Sequence, residues 1–346
     1  MSAHVESRLL VSGDLPAAGL RIGSEPEDFV VDEELVFEPD GIGDHVLVRM
    51  QKRRLTTRDL VRLVAQQAGV PERDVGSAGM KDKHAITTQW LSIPGRARAP
   101  ESWSLPSDAR ILESVRHGRK LRTGQQRGNR FRLRFVELES GSLERARAIV
   151  ERIEQHGLLN YFGDQRFGRG GENVDQALAW LRRGAPSGGP RGRFFTKLYS
   201  SVVQSEIYNR YISARVERGL ETLLCGEVVR LQGSASVFVV EDVARELARL
   251  RARDIVLTGP LPGPKMKQAS GEARDLEDRS LASLDLSAAE LALLGRHAPG
   301  TRRDVVVFPE RVSLISEPDG LVVEVFLPSG SYATELIREL TQARGL

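Results

Sequence analysis

The pattern of apolar and polar side chains predicts short strands alternating with single helices over the first 140 residues. Residues 45–50 partly alternate apolar and polar side chains, which is typical of a half-buried strand. Residues 57–68 carry apolar side chains at helical spacing, with threonines at their start and Gly69 and Pro71 at their end, which predicts a helix. Since this part of the chain lacks the long apolar runs of a parallel sheet, the pattern indicates an α+β fold.

The clearest predicted strand covers residues 130–135. Phe131, Leu133 and Phe135 would point to one face and three arginines to the other, because successive side chains of a strand alternate. The arginine face is either a solvated outer surface or a row of cations facing an RNA backbone, where each phosphate contact adds salt-dependent affinity. The sequence by itself favours neither interpretation.

The pattern after residue 140 predicts further helices, strands and loops. In chain order they are a helix at 143–156 that Gly157 ends, a loop at 184–190, a helix at about 200–219, a strand at 236–240, a helix at 241–251, a loop at 258–264, strands at 304–308 and 321–326, and a helix at 333–343. The change in character along the chain predicts boundaries near residues 157 and 305.

Length and composition describe an ordinary globular protein. The 346 residues are 40 % hydrophobic and 28 % charged, and this length predicts two domains. Cys225 is the single cysteine, and the six histidines show no HxxxH or HExxH spacing, so we expect neither an internal disulfide nor a metal site. Residues 1–6 do not resemble a signal peptide and no apolar run approaches the ~20 residues of a membrane span, which predicts a cytoplasmic protein.

Several common enzyme classes have no support in the sequence. Residues 168–171 are rich in glycine but have no GxxxxGK[ST] motif or strand–GxGxxG–helix context, so a nucleotide cofactor is not expected. A serine hydrolase would need a GxSxG elbow, which the chain lacks. The adjacent acids at 27–28 and 33–34 are typical of solvated surface, whereas a glycosidase needs two carboxylates that flank one bond.

The basic residues are unusual in kind. The formal net charge is only +3, but lysine occupies seven of the 50 basic positions and arginine the other 43. Guanidinium groups suit the recognition of phosphates and bases. A coding bias toward arginine explains the same numbers, so the composition permits RNA binding without arguing for it.

The most informative segment is residues 76–90. Small residues precede Asp82, which stands between Lys81 and Lys83 with His84 two residues on, and a run with strand character follows. Neighbouring cations favour the ionised carboxylate, and an ionised Asp on a glycine-bearing turn can act as a nucleophile or general base. The alternative is a surface ion cluster before a strand.

This segment resembles the signature of the TruD family of tRNA pseudouridine synthases, and six further segments resemble the family in the same order along the chain. The seven matching segments are residues 26–33, 43–45 with Lys52 and Thr57, 78–85 with 88–90, 120–122 with 128–131, 160–168, 201–205 with 208–209, and 327–334 with 338–340. The resemblance therefore covers most of the chain.

The resemblance implies an architecture. Residues 1–157 and 306–346 would form one catalytic pseudouridine synthase domain with a mixed, mainly antiparallel sheet, and residues 158–305 an inserted α+β TRUD domain. Segments 76–90 and 327–334 would then lie together. It also implies that tRNA is the partner and that no cofactor is needed, and we expect a monomer.

The resemblance also implies roles for six residues. Asp82 would be the catalytic carboxylate, and the substrate contacts would be Phe29, Asn129, Tyr332, Lys81 and Arg21, of which Arg21 matches a basic residue near the catalytic Asp. Without the family, Phe29 would be a core aromatic and Asn129 a turn residue. Tyr332 stands where the family often has Phe.

The activity that the resemblance implies is the conversion of a tRNA uridine, uridine 13, to pseudouridine. Two alternatives belong to other classes. One is a catalytically idle RNA-binding protein, against which the intact Asp82 and Asn129 argue. The other is a hydrolase that cleaves a nucleoside bond with Asp82 as nucleophile, which would lower the mass of the RNA, whereas isomerisation leaves it unchanged.

Overall fold

A computed structural model of the chain describes residues 8–186 and 188–342. They divide into two compact units. The sheet unit comprises residues 17–150 and 309–333, and the helix-rich unit comprises the described residues of 8–16, 151–308 and 334–342. The compact units do not show which residues carry the activity. The predicted division into a catalytic domain and an inserted domain at 158–305 therefore stays a prediction. The predicted absence of a signal peptide at residues 1–6 and the predicted helix end at 343 lie outside the described residues, as does residue 187 of the predicted loop.

The secondary structure follows the predicted alternation. The strands are β1 (Arg21–Ile22), β2 (Phe29–Leu35), β3 (His45–Arg53), β4 (Gly76–Ser77), β5 (Ile86–Pro94), β6 (Ala109–His117), β7 (Gln126–Val136), β8 (Leu158–Leu159), β9 (Val228–Leu231), β10 (Val237–Val239), β11 (Ile255–Leu261), β12 (Thr301–Asp304), β13 (Val306–Val307), β14 (Glu310–Glu317) and β15 (Gly320–Pro328). The helices are α1 (Thr57–Ala68), α2 (Ser142–His156), α3 (Glu172–Arg182), α4 (Gly189–Arg218), α5 (Val243–Arg251), α6 (Gly271–Ala282), α7 (Ala288–His297) and α8 (Ala333–Thr341). None of the helices in the described ranges is long and apolar enough to cross a membrane.

The sheet unit is built on one sheet, in which the described strands follow the order β14-β15-β7-β2-β5-β3-β6, with β1 beside β7 and β4 beside β5. All neighbours are antiparallel except β2 and β5, which pair in parallel with Val30 opposite Ile86. The α+β fold with a mixed, mainly antiparallel sheet is therefore confirmed.

Strand β7 alternates as predicted, with its three apolar side chains buried. Its arginines keep solvent exposure, which agrees with a solvated outer face, but each of them also has a carboxylate partner. The ion pairs are Arg130–Glu34, Arg132–Glu317, Arg134–Glu317, Arg134–Asp319 and Arg134–Asp28. Sequence alternation placed the arginines on one face, but the carboxylates come from other strands and loops. The row is thus part of an ion-pair network.

Helix α1 covers residues 57–68, as the apolar spacing predicts. Thr56 and Asp59 form a reciprocal capping box at its start, and Gly69 ends it in the left-handed conformation (φ 69°). The apolar face, which includes Leu60 and Val64, packs in one buried cluster with side chains of β3 and β5. Full burial of each such side chain stabilises the fold by roughly 1.5–3 kcal/mol. The helix thereby supports β5, the strand that directly follows residues 78–85, and its neighbour β3.

We expect Gly76→Ala to destabilise the sheet unit by about 1–3 kcal/mol, because a Cβ at this position would lie 2.3 Å from the carbonyl oxygen of Leu121. Backbone would have to move to relieve this clash. Gly118→Ala is the matched control, since its Cβ would meet only the end of the Asp40 side chain at 3.4 Å. Urea denaturation of both variants measures the difference, and equal stabilities would contradict the steric argument.

The helix-rich unit contains a sheet of order β10-β9-β11-β12, the short pair β8–β13, and helices that include the 30-residue α4. The predicted loop at 258–264 is wrong in its first half, because Thr258 to Leu261 belong to β11. Pro260 lies in the part of β11 that pairs with β12, beyond the residues that pair with β9. A proline is tolerated in a strand where one side needs no backbone donor.

The longest family-like segment, residues 160–168, begins with a buried hydrogen-bonded cluster in this unit. Asn160, Tyr161 and Phe162 are at most 6 % exposed. The amide of Asn209 accepts a hydrogen bond from the Phe162 N–H (2.9 Å) and donates one to its carbonyl (3.0 Å), and Arg303 donates to the Asn160 side chain (2.6 Å). These residues join α4 to the strands, so this part of the motif serves packing.

Candidate active site

Residues 78–85 form a loop between β4 and β5 that presents an exposed Asp82 on a fixed backbone. The Lys81 N–H donates to the hydroxyl oxygen of Thr57 at the start of α1 (2.8 Å). The ammonium of Lys52 donates to the backbone carbonyl of Asp82 (2.7 Å). Because both anchors come from buried side chains, the carboxylate of Asp82 is held at the protein surface on a backbone of defined position.

The side chain of Lys81 fixes the same loop through a buried ion pair with Glu33. The two side chains are 4 % and 0 % exposed. The second oxygen of Glu33 accepts from the Trp90 N–H (3.0 Å), and the Lys81 ammonium also donates to Gln126 (3.1 Å). A cation enclosed in this way has little access to a ligand. This enclosure favours a role for Lys81 in positioning the loop, and a direct substrate contact by Lys81 stays a prediction.

Lys52 is the residue at this site to which the sequence analysis assigns no role. It is 1 % exposed and lies on β3. Burial lowers the pKa of its ammonium to about 8, and the nearby charge of Asp82 opposes that shift. The burial of Lys52 could have been predicted from the sequence, because strand alternation puts Lys52 on the same face as the apolar Val48 and Met50. A lysine continuing an apolar face is a reason to look for a buried partner.

The lowered pKa of Lys52 predicts a pH-dependent stability. An unfolded lysine has a pKa of about 10.4, so between about pH 8 and pH 10 the unfolded chain binds more protons than the folded one, and rising pH favours the folded state. Relative to Lys52→Met, the free energy of unfolding of the wild type should rise by about 1–3 kcal/mol over this interval. Urea denaturation at a series of pH values measures this difference, and a constant difference would contradict it.

Phe29 and Asn129 lie on strands beside the loop. Phe29 begins β2, and the next residue, Val30, is paired with Ile86 directly after the loop. Its ring is half-buried and meets the edge of Phe131 at a centroid distance of 6.0 Å. Asn129 is opposite Glu33 on β7, and its side-chain oxygen is buried without a hydrogen-bond partner. Buried acceptors are rarely left without a donor, and a rotation of the Asn129 side chain would bring this oxygen to a ligand.

The segment that carries Tyr332 belongs to the same unit. Gln126 accepts from Lys81 and donates to the hydroxyl of Ser329 (3.2 Å), so it connects the Asp82 loop with the end of β15. This confirms the expectation that residues 76–90 lie together with the segment beginning at residue 327, although these segments are far apart in the sequence. The ring of Tyr332 is half-buried.

Arg21 has a different environment. It lies on β1 opposite Val136, at the far end of β7 from Asn129, and its guanidinium is paired with Glu137 (2.6 Å). Both side chains are more than half exposed. The structure places the ammonium of Lys52 at the backbone carbonyl of Asp82, and a substrate contact by Arg21 stays a prediction.

The comparisons with known proteins agree with this fold. The family model for tRNA pseudouridine synthase D (TruD) matches residues 5–175 and 193–340. A tRNA pseudouridine synthase D of Anaeromyxobacter sp. is 41 % identical over 340 residues, which is 96 % of each chain. That of Thermus thermophilus is 35 % identical over 337 residues, which is 96 % of this chain and 92 % of the relative. A crystal structure assigned to tRNA pseudouridine synthase D of Methanosarcina mazei has the same fold, with a TM-score of 0.73 at 23 % identity over 98 % of this chain and 97 % of that one.

Fold and sequence relatives together define an enzyme of the isomerase class, a pseudouridine synthase. The chain belongs to the tRNA pseudouridine synthase D (TruD) family.

Proposed function

We propose that this enzyme converts uridine 13 of tRNA to pseudouridine and that Asp82 is the catalytic carboxylate. The observation that carries the proposal is an exposed Asp82 on a loop held by Lys52, Thr57 and the buried Lys81. A rigid backbone beneath an accessible carboxylate is what a catalytic group needs, because misplacement of the reacting atoms slows a reaction steeply. The names of the relatives support tRNA as the substrate.

The reaction is an isomerisation whose atoms balance without a co-reactant. The bond between C1′ and N1 breaks, the uracil rotates, C1′ forms a bond to C5, and the hydrogen of C5 is replaced by one on N1. Asp82 can add to the base, attack C1′ or remove the 2′ proton, and each of these steps requires its carboxylate. A substitution that removes the carboxylate of Asp82 would therefore block each of these three steps.

The target base must leave its stack before it can reach Asp82, which costs a few kcal/mol. Phe29 and Tyr332 offer half-buried rings for stacking. The open side-chain oxygen of Asn129 can accept a hydrogen bond from N3–H of uracil, and its amide can donate to a carbonyl of the same base. These contacts would offset the cost of flipping. Arg21 is proposed as a further contact to the RNA.

The wider assignment follows from the same proposal. Residues 1–157 and 306–346 form the catalytic domain, and residues 158–305 form the inserted domain that helps to hold the tRNA by its shape and phosphates. The enzyme acts as a monomer in the cytoplasm, and it needs no cofactor because the isomerisation is neither an oxidation nor a group transfer to a second molecule.

The test is the pseudouridine map of tRNA from cells with and without this gene, together with the purified chain acting on an unmodified tRNA transcript. We expect pseudouridine at position 13 only when the enzyme is present, with no change in RNA mass. Loss of a base would support a nucleoside hydrolase instead. Binding without any modification would support the idle RNA-binding protein.

Phe29→Ala should slow pseudouridine formation without abolishing it, because it removes stacking worth roughly 1–3 kcal/mol while leaving the carboxylate in place. The expected loss in kcat/KM is about 5- to 150-fold. Phe37→Ala is the matched control, since Phe37 belongs to the same unit but stacks on His117 (centroid distance 4.7 Å). Equal losses in the two variants would indicate that Phe29 acts through the fold alone.

A further inference from the structure

The helix-rich unit contains a cavity of about 250 Å³ that the proposed mechanism does not use. The apolar residues that line the cavity include Ile255, Leu257, Val306, Phe308 and Leu220. An apolar cavity of ~150 Å³ is enough to hold a benzene ring. The cavity therefore has room for one planar base, but too little for a folded segment of another chain.

One wall of the cavity is Arg253, which occupies a backbone position that normally belongs to glycine. Helix α5 ends in a Schellman motif, with hydrogen bonds from the Arg253 N–H to the Leu250 carbonyl (3.0 Å) and from the Asp254 N–H to the Arg249 carbonyl (2.9 Å). Arg253 is the left-handed residue of this motif, with φ 62°. A side chain at such a position costs conformational energy that glycine would avoid.

Two hydrogen bonds and an aromatic ring fix the planar guanidinium of Arg253. It donates to the carbonyl oxygens of Glu154 (2.7 Å) and Gln155 (3.3 Å) near the end of α2, and its central carbon lies 4.1 Å from the ring centroid of Phe308. The guanidinium thus lies over the aromatic ring, and Arg253 is an exposed residue that lines the cavity together with Phe308. Arginine planes and aromatic rings are the two surfaces on which unstacked RNA bases stack.

The polar groups at the cavity favour a nucleotide over an apolar peptide side chain. Arg251 contributes an exposed cation next to Arg253. His156 lies 2.9 Å from the carboxylate of Glu221, so the lining carries two arginines and one carboxylate and its cations are in excess. A base is attached to an anionic phosphate backbone, so a cavity lined by apolar side chains and by the exposed Arg251 and Arg253 complements it in polarity and in charge.

We propose that this cavity binds an unpaired nucleobase of the tRNA, stacked against Arg253, with a neighbouring phosphate near Arg251. The inference rests on the proposed function insofar as that function makes tRNA the ligand. It adds a second base-binding site, separate from the uridine that reacts, within residues 151–308.

The experiment uses the full chain and an unmodified tRNA transcript as the probe. Arg253→Gly removes the guanidinium while relieving the backbone, and Leu220→Trp places a larger side chain at a residue that lines the cavity. Arg245→Ala is the control, because it removes a cation of α5, the helix that Arg253 follows, and Arg245 does not line the cavity. Dissociation constants for tRNA, thermal melting, and the rate of pseudouridine formation at saturating tRNA are measured for all three. Ultraviolet cross-linking of the wild type, followed by mass spectrometry, locates the bound base.

We expect Arg253→Gly and Leu220→Trp to weaken tRNA binding roughly 5- to 50-fold, with Arg245→Ala within about two-fold of the wild type. The rate at saturating tRNA should change little, and the wild-type cross-link should fall on a peptide that contains Arg253 or Phe308. Wild-type affinity in the folded Arg253→Gly and Leu220→Trp variants would overturn the inference, as would cross-links confined to residues outside the cavity. Absence of pseudouridine with the wild type would overturn the proposed function, while the affinities would still decide the present inference.

Discussion

Asp82→Asn should abolish pseudouridine formation and leave the fold and the affinity for tRNA intact. Asparagine is nearly isosteric with aspartate, but it cannot act as a carboxylate nucleophile or base. The backbone contact from Lys52 is to the carbonyl of residue 82, so it survives the substitution. General acid–base catalysis is worth roughly 10²–10⁴-fold, and we expect a loss of at least this size in single-turnover measurements on a tRNA transcript.

The opposite result is what a surface ion cluster predicts. In that case Asp82→Asn would cost on the order of 0–1 kcal/mol of stability and keep its activity. Asp74→Asn, a carboxylate of the same sheet unit outside the Asp82 loop, is the control for the removal of one negative charge. Near-normal turnover in Asp82→Asn would contradict the proposed role of Asp82 as the catalytic carboxylate, whatever family the chain belongs to.

Lys81→Met should be the most destabilising single substitution at the site. It leaves Glu33, whose side chain is 0 % exposed, as a buried carboxylate without its cation. Removal of one partner from a buried ion pair costs about 3–5 kcal/mol. Urea denaturation should therefore show a large fall in the midpoint, and activity should fall with it because the loop that carries Asp82 loses an anchor.

The double variant Glu33→Leu with Lys81→Met separates the charge from the packing. Replacement of a buried pair by apolar side chains is often close to neutral, so we expect much of the stability to return. Activity should stay low, because the Trp90 N–H loses its acceptor, Gln126 loses one of its two partners, and the loop loses one of its anchors. Stability as low in the double variant as in Lys81→Met would contradict the ion-pair explanation.

The elements whose signals are local could be predicted from the sequence. Helix α1 covers the predicted residues because its apolar spacing, its threonine cap and Gly69 all lie within one stretch of chain. Strand β7 alternates as predicted, and Gly157 follows the last residue of α2 with φ 84°. The segment around Asp82 was also identifiable, because its residue types carry the chemistry in consecutive positions. Periodicity and turn chemistry depend on neighbours along the chain, and these are visible in the sequence.

The tertiary structure decided which distant groups meet. Glu33 and Lys81 are 48 residues apart, and Gln126 and Ser329 are 203 apart. The sequence could not tell that Lys81 would be enclosed, that Lys52 would lie at Asp82, or that the arginines of β7 would find carboxylates. Each of these outcomes depends on strand order and register, which bring together residues that no local pattern relates. Charge and burial at a site are properties of that assembly, because a cation changes its role when a carboxylate from another strand is placed against it.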